Sequence, residues 1–410
     1  MKDFDTQAAA AARNRQAELT KPPGSLGRLE ELAVFMAGWQ GRARPRIDRA
    51  QALVFAGNHG VCAQGVNPFP VEVTAQMVEN FRNGGAAINQ LCRLAGADLQ
   101  VIALDLDRPT ADFTQGMAME TPDLVASIQT GKNAVDPQAD VILLGEMGIG
   151  NSTVAAALAA ATFGGGAEDW VGPGTGADDD ILARKIAAVE AGLKRHKGAA
   201  SAASILGSYG GREQAAICGA VIRARELGIP VILDGFICTA AAGVLVINDR
   251  NALDHCLIGH ESAEPGHRRL VAVLGKTPVV GLDMRLGEGT GAAVALMVLR
   301  AALECHNGMA TFAEAGVAAH WAYRDGVRSK NPFAVDPAEW IAQLTDRFDT
   351  EDHNEFLEAV KLEMYQDQVF CFTPKGDLIA LPRGATPVDF AYAVHTDVGN
   401  TAVGAKINGQ

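Results

Sequence analysis

From about residue 51 to residue 303, short apolar runs rich in β-branched residues alternate with longer, alanine-rich stretches of helical period. The runs at 52–56, 99–104, 141–144, 230–233 and 278–282 predict strands. Between them, 73–94, 153–161, 181–194, 214–226 and 291–303 predict helices. An earlier helix over 27–39 follows the turn Lys21-Pro22-Pro23-Gly24. Strand–helix alternation of this kind predicts an α/β fold, a parallel sheet with helices on its faces. After about residue 316 the pattern changes. His320-Trp321-Ala322-Tyr323 leads into a charged helical stretch at 337–365, and a compact β-rich segment occupies 369–410. A boundary near 316–320 divides the chain into a first domain (1–317), a helical linker (318–367) and a small β-rich segment (368–410). Apart from alanine bias there are no repeats or low-complexity tracts.

Composition narrows the class. Of 410 residues, 48% are hydrophobic and 20% charged, enough for a sizeable core and two or three domains. A net charge of −13 argues against a nucleic-acid partner. The seven cysteines form no C-x-x-C pair, which predicts free thiols rather than a disulfide framework or a zinc site. Acids at Asp3 and Asp5 stand where a signal peptide needs a basic start. The longest apolar run, 237–247, falls far short of the ~20 residues a membrane helix needs. A cytoplasmic protein with no membrane partner is the expectation.

Three glycine-rich loops follow predicted strands and open predicted helices. The first is Gly145-Glu146-Met147-Gly148-Ile149-Gly150-Asn151-Ser152-Thr153. Backbone N–H groups at such a helix start, together with the helix dipole, suit a phosphate, and a plain capped turn is the alternative. The second, Gly172-Pro173-Gly174-Thr175-Gly176-Ala177-Asp178-Asp179-Asp180, feeds a helix carrying Lys185. Lys185 reads either as a phosphate counter-ion or as a solvated surface residue. The third, Gly287-Glu288-Gly289-Thr290-Gly291-Ala292, fits a relaxed G-x-G-x-x-A dinucleotide pattern. The acid expected ~20 residues later at a strand end is missing, because Glu304 lies in a helical stretch.

Two further strings do not hold up as sites. Gly275-Lys276-Thr277 ends like a P-loop but lacks its first glycine, since Leu270 stands there. His260-Glu261-Ser262-Ala263-Glu264-Pro265-Gly266-His267 lacks metal-ligand spacing, and Pro265-Gly266 is expected to break any helix aligning the ligands. It predicts a hydrogen-bonded turn and no metal. Glu146 and Glu314, acids among small and apolar residues, are candidates for carboxyls with raised pKa. The residues alone thus lead to an α/β enzyme acting on a phosphorylated small molecule through a carboxylate base.

Read together, these segments resemble the nicotinate-nucleotide:dimethylbenzimidazole phosphoribosyltransferase family. The matching strings include Lys21-Pro22-Pro23-Gly24-Ser25-Leu26-Gly27, Ala56-Gly57-Asn58-His59-Gly60-Val61, the first two loops, Asp234-Gly235-Phe236, 262–267, 285–291 and 309–317. The resemblance covers about residues 5–317. It implies a Rossmann-like parallel sheet with helices on both faces, a small helical subdomain and a homodimer. The implied reaction moves ribose 5-phosphate from nicotinate mononucleotide to 5,6-dimethylbenzimidazole with inversion, for cobalamin assembly, using no metal and no cofactor. It further implies that Glu314 is the catalytic base and Glu146 a second active-site acid. Gly148, Gly150, Asn151, Ser152, Thr153, Gly174, Gly176 and Lys185 match the phosphate and ribose cradle. The segment 67–77 corresponds to the pocket for the aromatic base, with Gln76 within it.

The C-terminal part resembles an unrelated family. The string from Gly316 to Gly326 is similar to the region after the synthetase domain of long Rel/Spo-type alarmone synthetase/hydrolases. Val369-Phe370-Cys371-Phe372-Thr373-Pro374-Lys375-Gly376-Asp377 and 381–399 resemble the opening of their TGS domain, a β-grasp module. A truncated β-grasp segment is therefore expected, ending before its last strands. The two resemblances meet at Ala313-Glu314-Ala315-Gly316-Val317, a string both families nearly share, which suggests recombination, an artificial join or an error of sequence assembly rather than a two-domain enzyme. Residues 318–410 are expected to add no activity and to be loosely packed, with exposed strand edges. Two other readings compete with the transferase: an NAD-dependent oxidoreductase using 287–292, and a regulatory module acting through the C-terminal segment.

Overall fold

The computed structural model describes residues 2–174, 176–315, 368–372, 378–382 and 385–394. It divides into two compact units, Met1–Leu19 with Pro23–Met309, and Thr20–Pro22 with Ala310–Gln410.

The first unit is built on six parallel strands: β1 Ala50–Ala56, β2 Ala97–Ala103, β3 Val141–Met147, β4 Val231–Leu233, β5 Cys256–Glu261 and β6 Pro278–Gly281. Their order across the sheet is β2-β1-β3-β4-β5-β6. The helices are α1 Thr6–Glu18, α2 Arg28–Gln40, α3 Glu72–Arg82, α4 Ala87–Ala95, α5 Thr121–Ala134, α6 Asn151–Phe163, α7 Asp179–Arg195, α8 Ala202–Tyr209, α9 Arg212–Leu227, α10 Phe236–Gly243, α11 Pro265–Val273 and α12 Thr290–Gly308.

Successive residues on a strand point to opposite faces, so a sheet covered on both sides needs apolar residues throughout. Leu53, Phe55, Ile142, Leu144, Val231 and Leu233 enter one core cluster with residues of α6, α8, α9 and α10. Ala52, Val54, Val141, Leu143 and Ile232 enter the other with residues of α2, α4 and α12.

Much of the glycine content serves close packing. A Cβ on Gly131 of α5 would lie 1.8 Å from the Ala216 carbonyl oxygen of α9, and one on Gly219 of α9 would lie 2.0 Å from that of Ile128. The two helices touch backbone to backbone at these points, which no larger residue permits. Gly145 of β3 and Gly259 of β5 do the same under α12: a Cβ there would lie 2.5 Å from the Gly289 nitrogen and 2.9 Å from the Ala292 Cα. The start of α12 is thereby lowered onto the sheet.

The strand–helix alternation corresponds to the expected α/β architecture, with several differences; α1, α5, α8 and α10, for example, are not among the expected helices. The helix expected over 73–94 is two helices, because Asn83-Gly84-Gly85 breaks it and Gly84 takes φ +76°. β5 was not anticipated: Cys256-Leu257-Ile258-Gly259-His260-Glu261 carries two ionisable residues that mask its apolar pattern. Pro265 does not prevent a helix. It stands in the first turn of α11, where a missing N–H costs nothing.

All seven cysteines are free, and Cys92, Cys218, Cys238 and Cys256 are buried. The apolar run at 237–247 folds into α10 and a following 3₁₀ turn, Val244–Ile247. Among the described residues no helix is long and apolar enough to cross a membrane.

In the second unit, strands Gln368–Phe372 and Leu378–Pro382 form an antiparallel pair, and a helix runs over Pro387–Val394. Ile379, Leu381 and Ala393 form its small core. The expectations for the linker at 318–367 and for the last strands of the β-grasp fall outside the described residues.

Candidate active site

In an open parallel sheet, ligands bind beyond the carboxyl ends of the strands, where neighbouring connections diverge. The connections after β1 and β3 diverge here, since β2 lies on one side of that pair and β4 on the other. A cleft of about 350 Å³ opens along the carboxyl ends of β3, β4, β5 and β6. That size suits a small-molecule site. A more open hollow of about 470 Å³ beside α1 and α2 contains none of the three glycine loops.

β3 extends through Met147, so Glu146 stands on the strand's last turnout rather than in a free loop. Its carboxylate accepts a hydrogen bond from the Asn151 side-chain amide. Burial pushes the Glu146 carboxyl well above its ordinary value, and the charges of Asp234, Glu213 and Glu288 push the same way.

Asp234, just after β4, is also raised by burial, against the opposing pull of His260 and of backbone N–H groups. Its two oxygens accept the N–H groups of Gly289 (3.1 Å) and Ala292 (2.9 Å), so it caps α12 from a distant part of the chain. Those N–H groups are the ones a dinucleotide pyrophosphate would need, and they are already occupied. Glu288 completes the group: it lines the cleft and is 7% exposed, and burial with Asp234 raises it to about 7.

The other part of the cleft is cationic. Asp178 caps α7 by accepting the Ile181 N–H at 2.8 Å, and α7 carries Lys185. Lys185 is buried, not solvated, at 2% exposure. Its ammonium donates to Ser152 Oγ (3.1 Å) and to the Gly172 carbonyl (2.6 Å). Burial lowers its pKa, and the Glu264 carboxylate opposes that shift. Gly174 packs directly over this pair, since a Cβ there would sit 3.5 Å from both Lys185 Nζ and Ser152 Oγ.

The cleft brings together Glu146, Gly148, Gly150, Asn151, Ser152, Gly174 and Lys185, expected from the sequence to act together. Thr153, Gly176, Gln76 and Glu314 are not among the residues that line it. Thr153 is fully buried within α6, and Gly176 is exposed. Gln76 is exposed on α3, because helical spacing turns Val73 and Met77 toward the cleft instead. Glu314 belongs to the second unit, where its carboxylate accepts the Thr311 N–H (2.8 Å) and its own N–H donates to Thr311 Oγ1 (3.1 Å).

Sequence reasoning missed Asp234, Glu264 and Glu288 as cleft acids. The signal available for Asp234 was an acid directly after an apolar run, Asp234-Gly235-Phe236. Glu264 was hidden in the histidine-rich turn. In that turn His267 Nδ1 accepts the Ser262 N–H (2.9 Å), and its Nε2 faces Thr239 Oγ1 (3.3 Å). Burial lowers His267 to about 3, which keeps the ring neutral. Lys276 of the P-loop-like string binds the Leu253 and Cys256 carbonyls (2.7 and 2.9 Å) and pins β5. Beneath the first loop lies a buried pair, His59 Nε2 and Glu213 Oε1, 3.1 Å apart. No group of three or more His, Cys, Asp or Glu among the described residues is placed to hold a metal ion.

Residues 1–317 match the phosphoribosyltransferase family, and residues 369–410 match the TGS domain. A nicotinate-nucleotide–dimethylbenzimidazole phosphoribosyltransferase of Rhodobacter capsulatus is 63% identical over 315 residues, 77% of this chain and 94% of the relative. One of the same name from Ruegeria pomeroyi is 59% identical, covering 76% of this chain and 93% of its own length. The crystal structure of the Thermus thermophilus protein of that name superimposes with a TM-score of 0.72 at 40% identity, over 77% of this chain and 99% of that one.

Proposed function

The chain belongs to the nicotinate-nucleotide–dimethylbenzimidazole phosphoribosyltransferase family, and we propose that its cleft transfers ribose 5-phosphate from nicotinate mononucleotide to 5,6-dimethylbenzimidazole. The products are nicotinate and α-ribazole 5′-phosphate, for assembly of the cobalamin nucleotide loop. The observation that carries this reading is the buried Lys185 ammonium held on Ser152 beneath the second glycine loop, in the same cleft as Glu146. A desolvated cation among glycine-lined backbone suits a phosphate dianion, which gains most where water is excluded.

Holding the phosphate at Lys185, Ser152 and Gly174 fixes the ribose, so that its anomeric carbon meets the carboxyl-lined part of the cleft. Asn151 orients Glu146 through its hydrogen bond, and Glu146 orients the sugar and the incoming base. Val73, Met77 and Phe69 line the cleft and offer an apolar surface to an aromatic heterocycle. A carboxylate takes the benzimidazole N–H proton while the other ring nitrogen attacks C1′, and the acids that line the cleft are Glu146, Asp234, Glu264 and Glu288. Bond breaking at a glycosidic carbon needs little from a nucleophile, so positioning and one base supply most of the rate. A homodimer in the cytoplasm is part of the same reading, supported by likeness to the family.

The test mixes purified protein with both substrates and follows nicotinate by chromatography. Release of nicotinate that depends on dimethylbenzimidazole supports the reading. No release, or release without the second substrate, contradicts it.

A further inference from the structure

Glu264 stands at the N-cap of α11, where an acid ordinarily accepts N–H groups of its own helix, yet its side chain makes no such bond. The carboxyl lines the cleft instead, and the residue is 7% exposed. The second glycine loop closes over it: the Gly174 N–H donates to the carboxylate, and a Cβ on Gly172 would overlap Oε2. That Oε2 is buried and has no hydrogen-bond partner among the described residues. The charges acting on the carboxyl are Lys185 on α7 and Arg285 after β6. The other ionisable groups of the same turn are engaged elsewhere. Glu261 pairs with Arg268 at 3.0 Å, His267 accepts the Ser262 N–H, and His260 faces Asp234 at 3.9 Å. Burial raises Glu264 above the ordinary carboxyl value, and Lys185, the Gly174 N–H and Arg285 oppose that shift.

We propose that Glu264 is the stand-in anion of the empty phosphate seat, and that it takes up a proton when the phosphate of the nucleotide arrives. This rests on the phosphoribosyl-transfer reading above. With the cleft empty, ionised Glu264 balances Lys185, a buried ammonium that is costly to leave without a counter-charge. A phosphate dianion brings two negative charges to the same ammonium. A carboxylate and a phosphate side by side, where water screens little, repel each other strongly. A proton from the buffer then goes to a carboxylate oxygen, and the hydroxyl so formed donates to a phosphate oxygen. No bond of the nucleotide forms or breaks in this step. Glu264 thus changes from a competitor for Lys185 into a hydrogen-bond donor, and the oxygen left without a partner in the empty cleft gains one.

Calorimetry of nicotinate mononucleotide binding to the full-length chain tests this, in buffers of differing ionisation enthalpy. The pH is set at about 7, where a phosphate monoester of second pKa ~6 is mostly dianion. The wild type should take up protons, at most about one per nucleotide, and Glu264→Gln should take up less than about half the wild-type amount. In steady-state assays above about pH 7, the wild-type KM for nicotinate mononucleotide should rise toward ~10-fold per pH unit, and that of Glu264→Gln by less than about twofold. A purely structural Glu264 would shift KM alike at every pH. Wild-type binding without proton uptake overturns the proposal. So does uptake in Glu264→Gln above half the wild-type amount, which would place the proton on Lys185 or on the phosphate. The wild-type measurement needs no variant, so it decides the matter if Glu264→Gln does not fold. A wild type that neither binds the nucleotide nor releases nicotinate overturns the parent reading and this one together. Binding and release without uptake overturn this one alone.

Discussion

The two ends of the cleft are made by the same device, a glycine-rich turn between a strand and a helix, yet they carry opposite charge. At one end Lys185, Ser152 and Gly174 form a cationic seat, with Glu264 as the nearby counter-charge. At the other, Glu146, Asp234 and Glu288 crowd together: Asp234 and Glu288 raise the cost of ionising Glu146, and Asp234 raises that of Glu288. The charges acting on Glu146 are other carboxylates, whereas the charge acting on Lys185 is Glu264, so the ends are electrostatically distinct. A nicotinate mononucleotide has the matching polarity, with an anionic phosphate at one end and a pyridinium at the other. The charge of the loop side chains, rather than the turn geometry, decides what each end does.

The largest expected effect is at the acidic end. Glu146→Gln should lower kcat by at least ~10²-fold, the usual scale for a group that acts as an acid or base, in a steady-state assay of nicotinate release. Turnover near wild type would remove Glu146 from the chemistry. Next comes the cationic seat. Lys185→Ala should raise KM for nicotinate mononucleotide ~10-fold or more, with a smaller change in kcat, because it takes away binding common to ground and transition states. An unchanged KM would leave the phosphate without its principal partner.

A smaller effect concerns stability at the acidic end. Glu288 has a folded pKa of about 7, above the ordinary 4.5. The folded state therefore holds a proton that the unfolded state releases, and stability should fall as pH rises between those values. Chemical denaturation of the empty protein across that range should show the decline, and it should be shallower in Glu288→Gln. Equal slopes would mean that the carboxyl is not desolvated as described. The smallest expected effect is none at all: ending the chain after residue 317 should leave kcat and KM unchanged. A substantial loss would give the TGS-like segment a role in the transferase.

The α/β alternation was legible because buried parallel strands need unbroken apolar runs and the helices between them are long and alanine-rich. β5 was not, because His260 and Glu261 sit at its functional end, where the demands of the site override those of the core. The glycine loops gave away Gly148, Gly150, Asn151 and Ser152 by spacing. Lys185 could be read two ways, and only the burial beneath the second loop separates a seat from a surface charge. Asp234 and Glu288 are brought to Glu146 by contacts between distant parts of the chain, which no local pattern carries. Gln76 shows the converse: it lies in the expected segment, but the turn of α3 presents Val73 and Met77 instead.

The most direct measurement is a crystal structure of the full chain with nicotinate mononucleotide bound. The account predicts the phosphate within hydrogen-bonding distance of Lys185 Nζ and Ser152 Oγ, with the pyridinium and its ribosyl carbon beside Glu146 and Glu288. A nucleotide bound the other way round, or outside this cleft, would contradict it.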